Sequence, residues 1–413
     1  MTSLRHLIIL IVVLLLFCTC GQRSTDYQPP RELTNMEKAV VESGNEFGLN
    51  LFKQVVASHP DENLCISPLS VAIALGMTYN GARGTTKEAM DSVLGLTGLD
   101  IVSVNQAYQS LIDLLQGMDP HVTFELANSI WYLENFPISR DFVDLNREYF
   151  RARVAALDFG APEAANTINN WITDNTHGRI TEVIQPPIDQ NTVMLLINAI
   201  YFLADWQHQF DPRHTYEADF HISEDLDTTC QMMALGDMLN VCFAESGTVL
   251  NLPYGNGLFS MLVILPNWTT SVNDVIAGLT PSQIADWQSD FDNREVQLRM
   301  PKFQMEYYIE PAEQLADLGL GILFDPNNAN LSGMLDRGLI EGNLFVDKVQ
   351  HKTFIKVDEE GTEAAAVTVV SVSITSPGPE VHVNLDRPFA FLIIENHSNT
   401  ILFAGKVVRP EWP

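Results

Sequence analysis

The chain has 413 residues, 46% of them hydrophobic and 18% charged, a balance that excludes a disordered protein and supports a large core. Its 23 Lys and Arg stand against 52 Asp and Glu, a formal net charge of -29 that argues against nucleic acid and polyanion cofactors, since both need clustered cations. Length alone suggests two or three domains, yet no linker-like stretch separates them.

Arg5 and His6 precede an unbroken apolar run over residues 7–18, followed by Thr19-Cys20-Gly21. A basic start and about a dozen apolar residues fit a secretory signal better than a membrane span, which needs about twenty. Export is the expectation. The cysteine that closes the run resembles the bacterial lipoprotein signal, in which cleavage before a Cys precedes its acylation. Phe17-Cys18-Thr19 departs from that pattern of one aliphatic and two small residues. The resemblance implies a signal peptide over 1–20 and lipid on Cys20, giving a secreted or cell-surface protein whose membrane contact is the lipid anchor. Cleavage near Gly21 and an uncleaved anchor stay open. Residues 21–33, with Pro29-Pro30 and no apolar period, read as a tether.

From Leu33 onward, Val40, Gly44, Phe47, Leu51 and Val55 recur at helical spacing. A second helix is predicted after Ser67-Pro68-Leu69-Ser70, where a capping serine precedes a proline suited to the first turn. Residues 193–202 and 261–265 are short apolar runs of the buried-strand kind, and residues 381–408 alternate strand-like runs with turns such as Asn396-His397-Ser398-Asn399. Helices early and strands late predict a single α+β domain over 34–413, with helices packed on large, mostly antiparallel sheets. Cys65, Cys230 and Cys242 fit neither a metal nor a redox spacing and read as small buried hydrophobes. No His-Glu-x-x-His, phosphate loop or Gly-x-Ser-x-Gly elbow occurs, and Gly255-Asn256-Gly257 reads as a turn. No metal, cofactor or enzymatic activity is expected.

One stretch is unusual. Between Glu363 and Glu380 there is no charge, and from Val367 nearly every residue is β-branched or serine. Taken by twos, Thr362, Ala364, Ala366, Thr368, Val370, Val372 and Ile374 share one face, while Ser371 and Ser373 share the other. An ordinary strand would be about five or six residues long, and this one runs well past that before Ser376-Pro377-Gly378-Pro379 denies it a ladder partner.

Glu359-Glu360-Gly361-Thr362-Glu363-Ala364-Ala365-Ala366 resembles the hinge that begins the reactive loop of inhibitory serpins. Other motifs agree in order: Asn63-Leu-Cys-Ile-Ser-Pro-Leu-Ser70, Gly81-Ala-Arg-Gly84, Ile197-Asn-Ala-Ile-Tyr-Phe202 with Trp206 and Phe210, Leu298-Arg-Met-Pro-Lys-Phe303, Val349-Gln-His-Lys352 and Asp386-Arg-Pro-Phe-Ala-Phe391. The resemblance spans residues 33–410. It implies the serpin fold, with large mixed sheets, about nine helices and an exposed loop over about 359–379. It also implies suicide inhibition of a serine protease, whose acyl-enzyme is trapped as the cut loop inserts into the main sheet; loop insertion is a standard example of strand addition. Counting the family's loop positions from Gly361 puts the scissile bond at Thr375-Ser376, with Ile374-Thr375 as the alternative. Either offers a small or aliphatic residue, suiting an elastase-like or subtilisin-like target and disfavouring a trypsin-like one. Ser67, Ser70, Asn198 and His351 match the polar cluster beneath the main sheet, and Trp206 matches the aromatic where insertion starts. A Ser and a His also invite a catalytic reading, but no acid partner or oxyanion loop accompanies them. The rival within the family is a non-inhibitory surface binding or chaperone protein, which tends to lose the small hinge residues kept here. A monomer is expected.

Overall fold

Thr34 and Glu37 open the first helix by each bonding the other's backbone N–H, a capping box that fixes where the helix begins. The computed structural model describes residues 30–336, 343–362 and 381–413. Cys20, the signal region, most of the tether, and Glu363, Ala364, Ala365, Ala366, Ile374, Thr375 and Ser376 lie outside the described residues. Helix α1 (Asn35–Ser58) buries Val40, Phe47, Leu51 and Val55, the stripe its spacing predicts. After β1 (Leu64–Ile66), Ser67 accepts from the Ser70 N–H and Pro68 occupies the first turn of α2 (Pro68–Tyr79), a helix buried almost all round.

The chain continues through α3 (Gly84–Val93), α4 (Ile101–Leu115), β2 (Val122–Leu133), α5 (Arg140–Phe150), β3 (Arg153–Leu157), α6 (Ala164–Asn175) and β4 (Met194–Asp205). The later half holds β5 (Tyr216–Ser223), β6 (Leu226–Ala244), β7 (Gly247–Tyr254), β8 (Phe259–Pro266), α7 (Val272–Gly278), α8 (Pro281–Ser289), β9 (Asp292–Pro301), β10 (Phe303–Ile309) and α9 (Ala312–Leu315). It ends on β11 (His351–Val357), β12 (Gly361–Thr362), β13 (Val381–Asn384), β14 (Phe389–Glu395) and β15 (Thr400–Val407). Nine α-helices among the described residues and two large sheets agree with the α+β expectation. The half-by-half division is looser than expected, because β2 is a long strand in the helical half.

The first sheet runs β1-β15-β14-β8-β7-β6-β9-β13, with β5 on β6; the second runs β10-β11-β12-β4-β2-β3. Pairing is antiparallel except for β13 with β9 and β2 with β3. Phe202 on β4 meets Tyr254, Phe259 and Phe403 of the first sheet at ring separations of 5.4, 5.9 and 6.3 Å. Phe303 on β10 meets Phe389 and Phe391 at 6.0 and 5.6 Å. These aromatic contacts join the two layers of the Leu33–Pro413 unit. Cys65, Cys230 and Cys242 are free and buried, and burial pushes the Cys65 thiol up to about 12.

On the outer face of the second sheet, the segment after α6 touches strands on both sides. His177 Nε2 lies 2.9 Å from Glu125 on β2, and its ring lies 4.4 Å from that of Tyr201 on β4. Lys352 on β11 donates to the Thr181 carbonyl at 2.7 Å, and Gln350 to that of Val183 at 3.4 Å.

Gly405 tests how tightly the core is filled. A Cβ there would lie 2.2 Å from Cζ of the fully buried Phe391, whose ring is already held against Phe303. Gly405→Ala is expected to cost about 1 to 3 kcal/mol and to lower the urea unfolding midpoint; an unchanged midpoint would mean that the ring has room to move.

Candidate functional site

Asp358, Glu359 and Glu360 form the turn that carries the chain from β11 to β12, and the Asp358 N–H closes it by donating to the Gly361 carbonyl at 3.0 Å. Residues just past β4 grip the turn from one side. The Trp206 N–H donates to the Glu360 carbonyl at 2.8 Å, Trp206 Nε1 to that of Asp358 at 2.9 Å, and the Phe210 N–H to that of Glu359 at 3.0 Å. The Trp206 indole stacks on Tyr254 at 4.4 Å, and the Tyr254 hydroxyl is hydrogen-bonded to Thr362 Oγ1 at 2.5 Å. Burial raises the Tyr254 phenol, so it remains protonated. Thr362 is only 2% exposed. A Cβ on Gly361 would lie 2.0 Å from the Ala204 carbonyl oxygen, so only glycine fits where the hinge enters the sheet.

Charge holds the turn as well. Lys302 Nζ lies 2.7 Å from the Glu359 carboxylate, which also accepts from the Thr215 hydroxyl at 2.7 Å, and Lys356 Nζ lies 2.8 Å from Asp358. Burial works against the Glu359 anion, but the Lys302 and Thr215 bonds outweigh it and lower its pKa. For Glu360 burial and then the Asp358 and Asp205 charges act together, and its pKa is raised. Adjacent glutamates thus have opposite tendencies, set by which one meets a cation.

Below the turn lies a seam. β12 pairs Thr362 with Val357 of β11 and with Ala204 of β4, and Gly361 with Asp205. Beyond these pairs, residues 194–203 of β4 and 351–356 of β11 have no ladder partner on their facing edges among the described residues. Under the seam, His351 Nε2 accepts from the Ser67 N–H at 2.9 Å, so its proton sits on Nδ1, and the Ser67 hydroxyl donates to the Leu402 carbonyl at 2.7 Å. Neither bond activates Ser67 as a nucleophile, because its proton points to a carbonyl and the imidazole faces a backbone amide.

Ser67, Ser70 and His351 therefore come together, while Asn198 bonds elsewhere. Its Nδ2 donates to Asn128 Oδ1 on β2 at 2.6 Å, and its own Oδ1 is buried without a partner among the described residues. Asn128 in turn donates to the Phe150 carbonyl at 2.7 Å. Sequence reading finds Trp206, Gly361 and Thr362 but misses Asn128, Lys302, Lys356, Thr215 and Tyr254. Asn128 had a visible signal, a lone amide in the strand-like alternation of Val122, Phe124, Leu126 and Ile130.

Known proteins resemble this chain along most of its length. A family profile described as serpin, serine protease inhibitor, matches residues 42–410. The leukocyte elastase inhibitor of Equus caballus is 32% identical over 380 residues, covering 89% of this chain and 98% of that protein. The native structure of tengpin, a thermophilic serpin, superposes with a TM-score of 0.83 at 32% identity, covering 92% of this chain and 96% of tengpin. Human thyroxine-binding globulin with bound thyroxine superposes with a TM-score of 0.82 at 26% identity, covering 91% of this chain and all of that one.

His351 makes the seam sensitive to acid. Burial lowers its pKa from 6.5 to about 4, so the folded state binds fewer protons than the unfolded state between those values. The stability this contributes is complete above pH 6.5 and is lost as pH falls toward about 4, with a span on the order of 3 kcal/mol. His351→Asn, which keeps an acceptor for the Ser67 amide, is expected to flatten the fall in urea midpoint between pH 7 and pH 4.5. Parallel pH curves for the two proteins would count against a neutral, buried His351.

Proposed function

The chain belongs to the serpin family, and we propose that it is a suicide inhibitor of serine proteases whose reactive loop, after cleavage, completes the seam between β4 and β11. The observation that carries this reading is the seam itself: two facing strand edges, with Thr362 already paired to both and Gly361 to β4. Each later residue in that register meets one residue earlier on each neighbour. Six residues beyond Thr362, Thr368 would stand opposite both Asn198, whose Oδ1 lacks a partner among the described residues, and His351. Thr362 faces inward, and in an extended strand Ala364, Ala366, Thr368, Val370, Val372 and Ile374 follow it on the buried face.

The chemistry is the protease's own. Its serine attacks the Thr375 carbonyl, the Ser376 amine leaves, and an ester joins the protease to the loop. Water would hydrolyse that ester, and insertion outruns it. The residues from 363 to Thr375, at about 3.3 Å each, carry the protease on the order of 40 Å, far enough to pull its site apart. The chain contributes no catalytic group, metal or cofactor and acts as an exported monomer with lipid on Cys20. Its target cleaves after a small or aliphatic residue, either Thr375 or, alternatively, Ile374. The likeness to thyroxine-binding globulin favours a second reading, a non-inhibitory binding protein of the same fold; the small hinge residues weigh against it.

Mixed with leukocyte elastase, the full chain is expected to give an SDS-stable adduct and to release a fragment whose mass begins at Ser376. Complete cleavage without an adduct would favour the second reading. Thr362→Arg is expected to turn inhibitor into substrate, because Thr362 is already buried between β11 and β4, and a guanidinium there must be desolvated at several kcal/mol or leave the seam, so the hinge no longer leads the strand in. Stoichiometric inhibition retained by this variant would remove Thr362 from the inserting face.

A further inference from the structure

The segment following β15 returns to the hinge. The Gln304 N–H on β10 donates to the Glu411 carbonyl at 2.8 Å, which sets the next residue, Trp412, over the lysines that hold the turn. Its ring centroid lies 4.1 Å from Lys302 Nζ and 5.2 Å from Lys356 Nζ. One indole thus contacts two ammonium groups, and these pair with Glu359 and Asp358, neighbours on the same turn. The Lys302–Glu359 pair is sheltered, with side chains 15% and 9% exposed.

We propose that Trp412 is a positioning residue for the hinge, acting through Lys302 and Lys356 on the turn from which the loop inserts; this rests on the inhibitory reading above. Among the described residues no hydrogen bond or ring contact joins Trp412 to the turn, so its influence passes through the lysines. Its π face offsets part of the cost of drying the ammonium groups. It also keeps water from the ion pairs, which in a less polar setting attract more strongly. The turn is then gripped on its backbone by Trp206 and Phe210, and on its side chains by Lys302 and Lys356. That double grip aims Gly361 and Thr362 between β11 and β4 at the moment when insertion competes with hydrolysis of the acyl ester. Without the indole the pairs become hydrated surface ion pairs, which contribute little. The turn is freer, and a larger share of cleaved molecules escapes as product.

The test compares the full-length chain with Trp412→Ala and Trp412→Phe, using leukocyte elastase as the probe. Trp412→Ala is expected to raise several-fold the number of inhibitor molecules consumed per protease trapped, and Trp412→Phe to restore much of the loss. In the uncut protein, without protease, amide exchange over residues 358–362 is expected to quicken roughly tenfold in Trp412→Ala while exchange in β14 and β15 stays as in the wild type. Exchange over 358–362 that matches the wild type would overturn the proposal. So would a quickening shared equally by the whole sheet, which marks a general loss of stability. Should the wild type form no adduct at all, the inhibitory reading falls, and the exchange comparison alone decides whether Trp412 holds the turn.

Discussion

A strand inside a sheet must satisfy hydrogen-bonding groups along both edges, and β4 and β11 meet that requirement toward each other only at Gly361 and Thr362 among the described residues. The surroundings are arranged about that constraint. The polar groups under the seam are divided between its two sides, with Ser67 and His351 toward β11 and Asn128 and Asn198 toward β4. The aromatic contacts between the layers gather on Phe202 and Phe303, which fix the strands to either side while leaving the seam itself lightly bound.

Control of the hinge is electrostatic as much as steric. Gly361 is demanded by the Ala204 carbonyl, a packing limit that no side chain can meet. The turn before it depends on the distribution of two cations over four carboxylates: Lys302 and Lys356 pair with Glu359 and Asp358, while burial raises the proton affinity of both Asp205 and Glu360, and the Asp358 and Asp205 charges raise that of Glu360 further. In a chain of net charge -29, two well-placed lysines count for more than their number suggests.

Local chemistry is what the sequence made legible. The caps at Thr34 and Ser67 follow from rules that act within four residues, and the small, inward-facing start of the loop is written in Gly361 and Thr362. Strand β2 is hard to see in the sequence because its apolar alternation is interrupted by Asn128 and Ser129, the kind of interruption that marks a buried polar role. The partners of the hinge were out of reach for a different reason. Thr215 and Glu359 are 144 residues apart, and Asn128 and Asn198 are 70 apart, so their meeting depends on sheet register, which no single stretch encodes. The family resemblance supplied Asn198 and His351 as members of one cluster, whereas the hydrogen bonds divide them.

The segment after α6 has a mechanical meaning. Its contacts reach Glu125 and Tyr201 on one side of the seam and Gln350 and Lys352 on the other, so it lies across the two strands like a stitch. Any widening between β4 and β11 lengthens that stitch along with the β12 pairs at the top of the seam. The individual bonds are partly exposed and weak, so the stitch gives way at modest load and can form again once the strands settle. A disturbance at the centre of the sheet is therefore transmitted outward to the segment after α6.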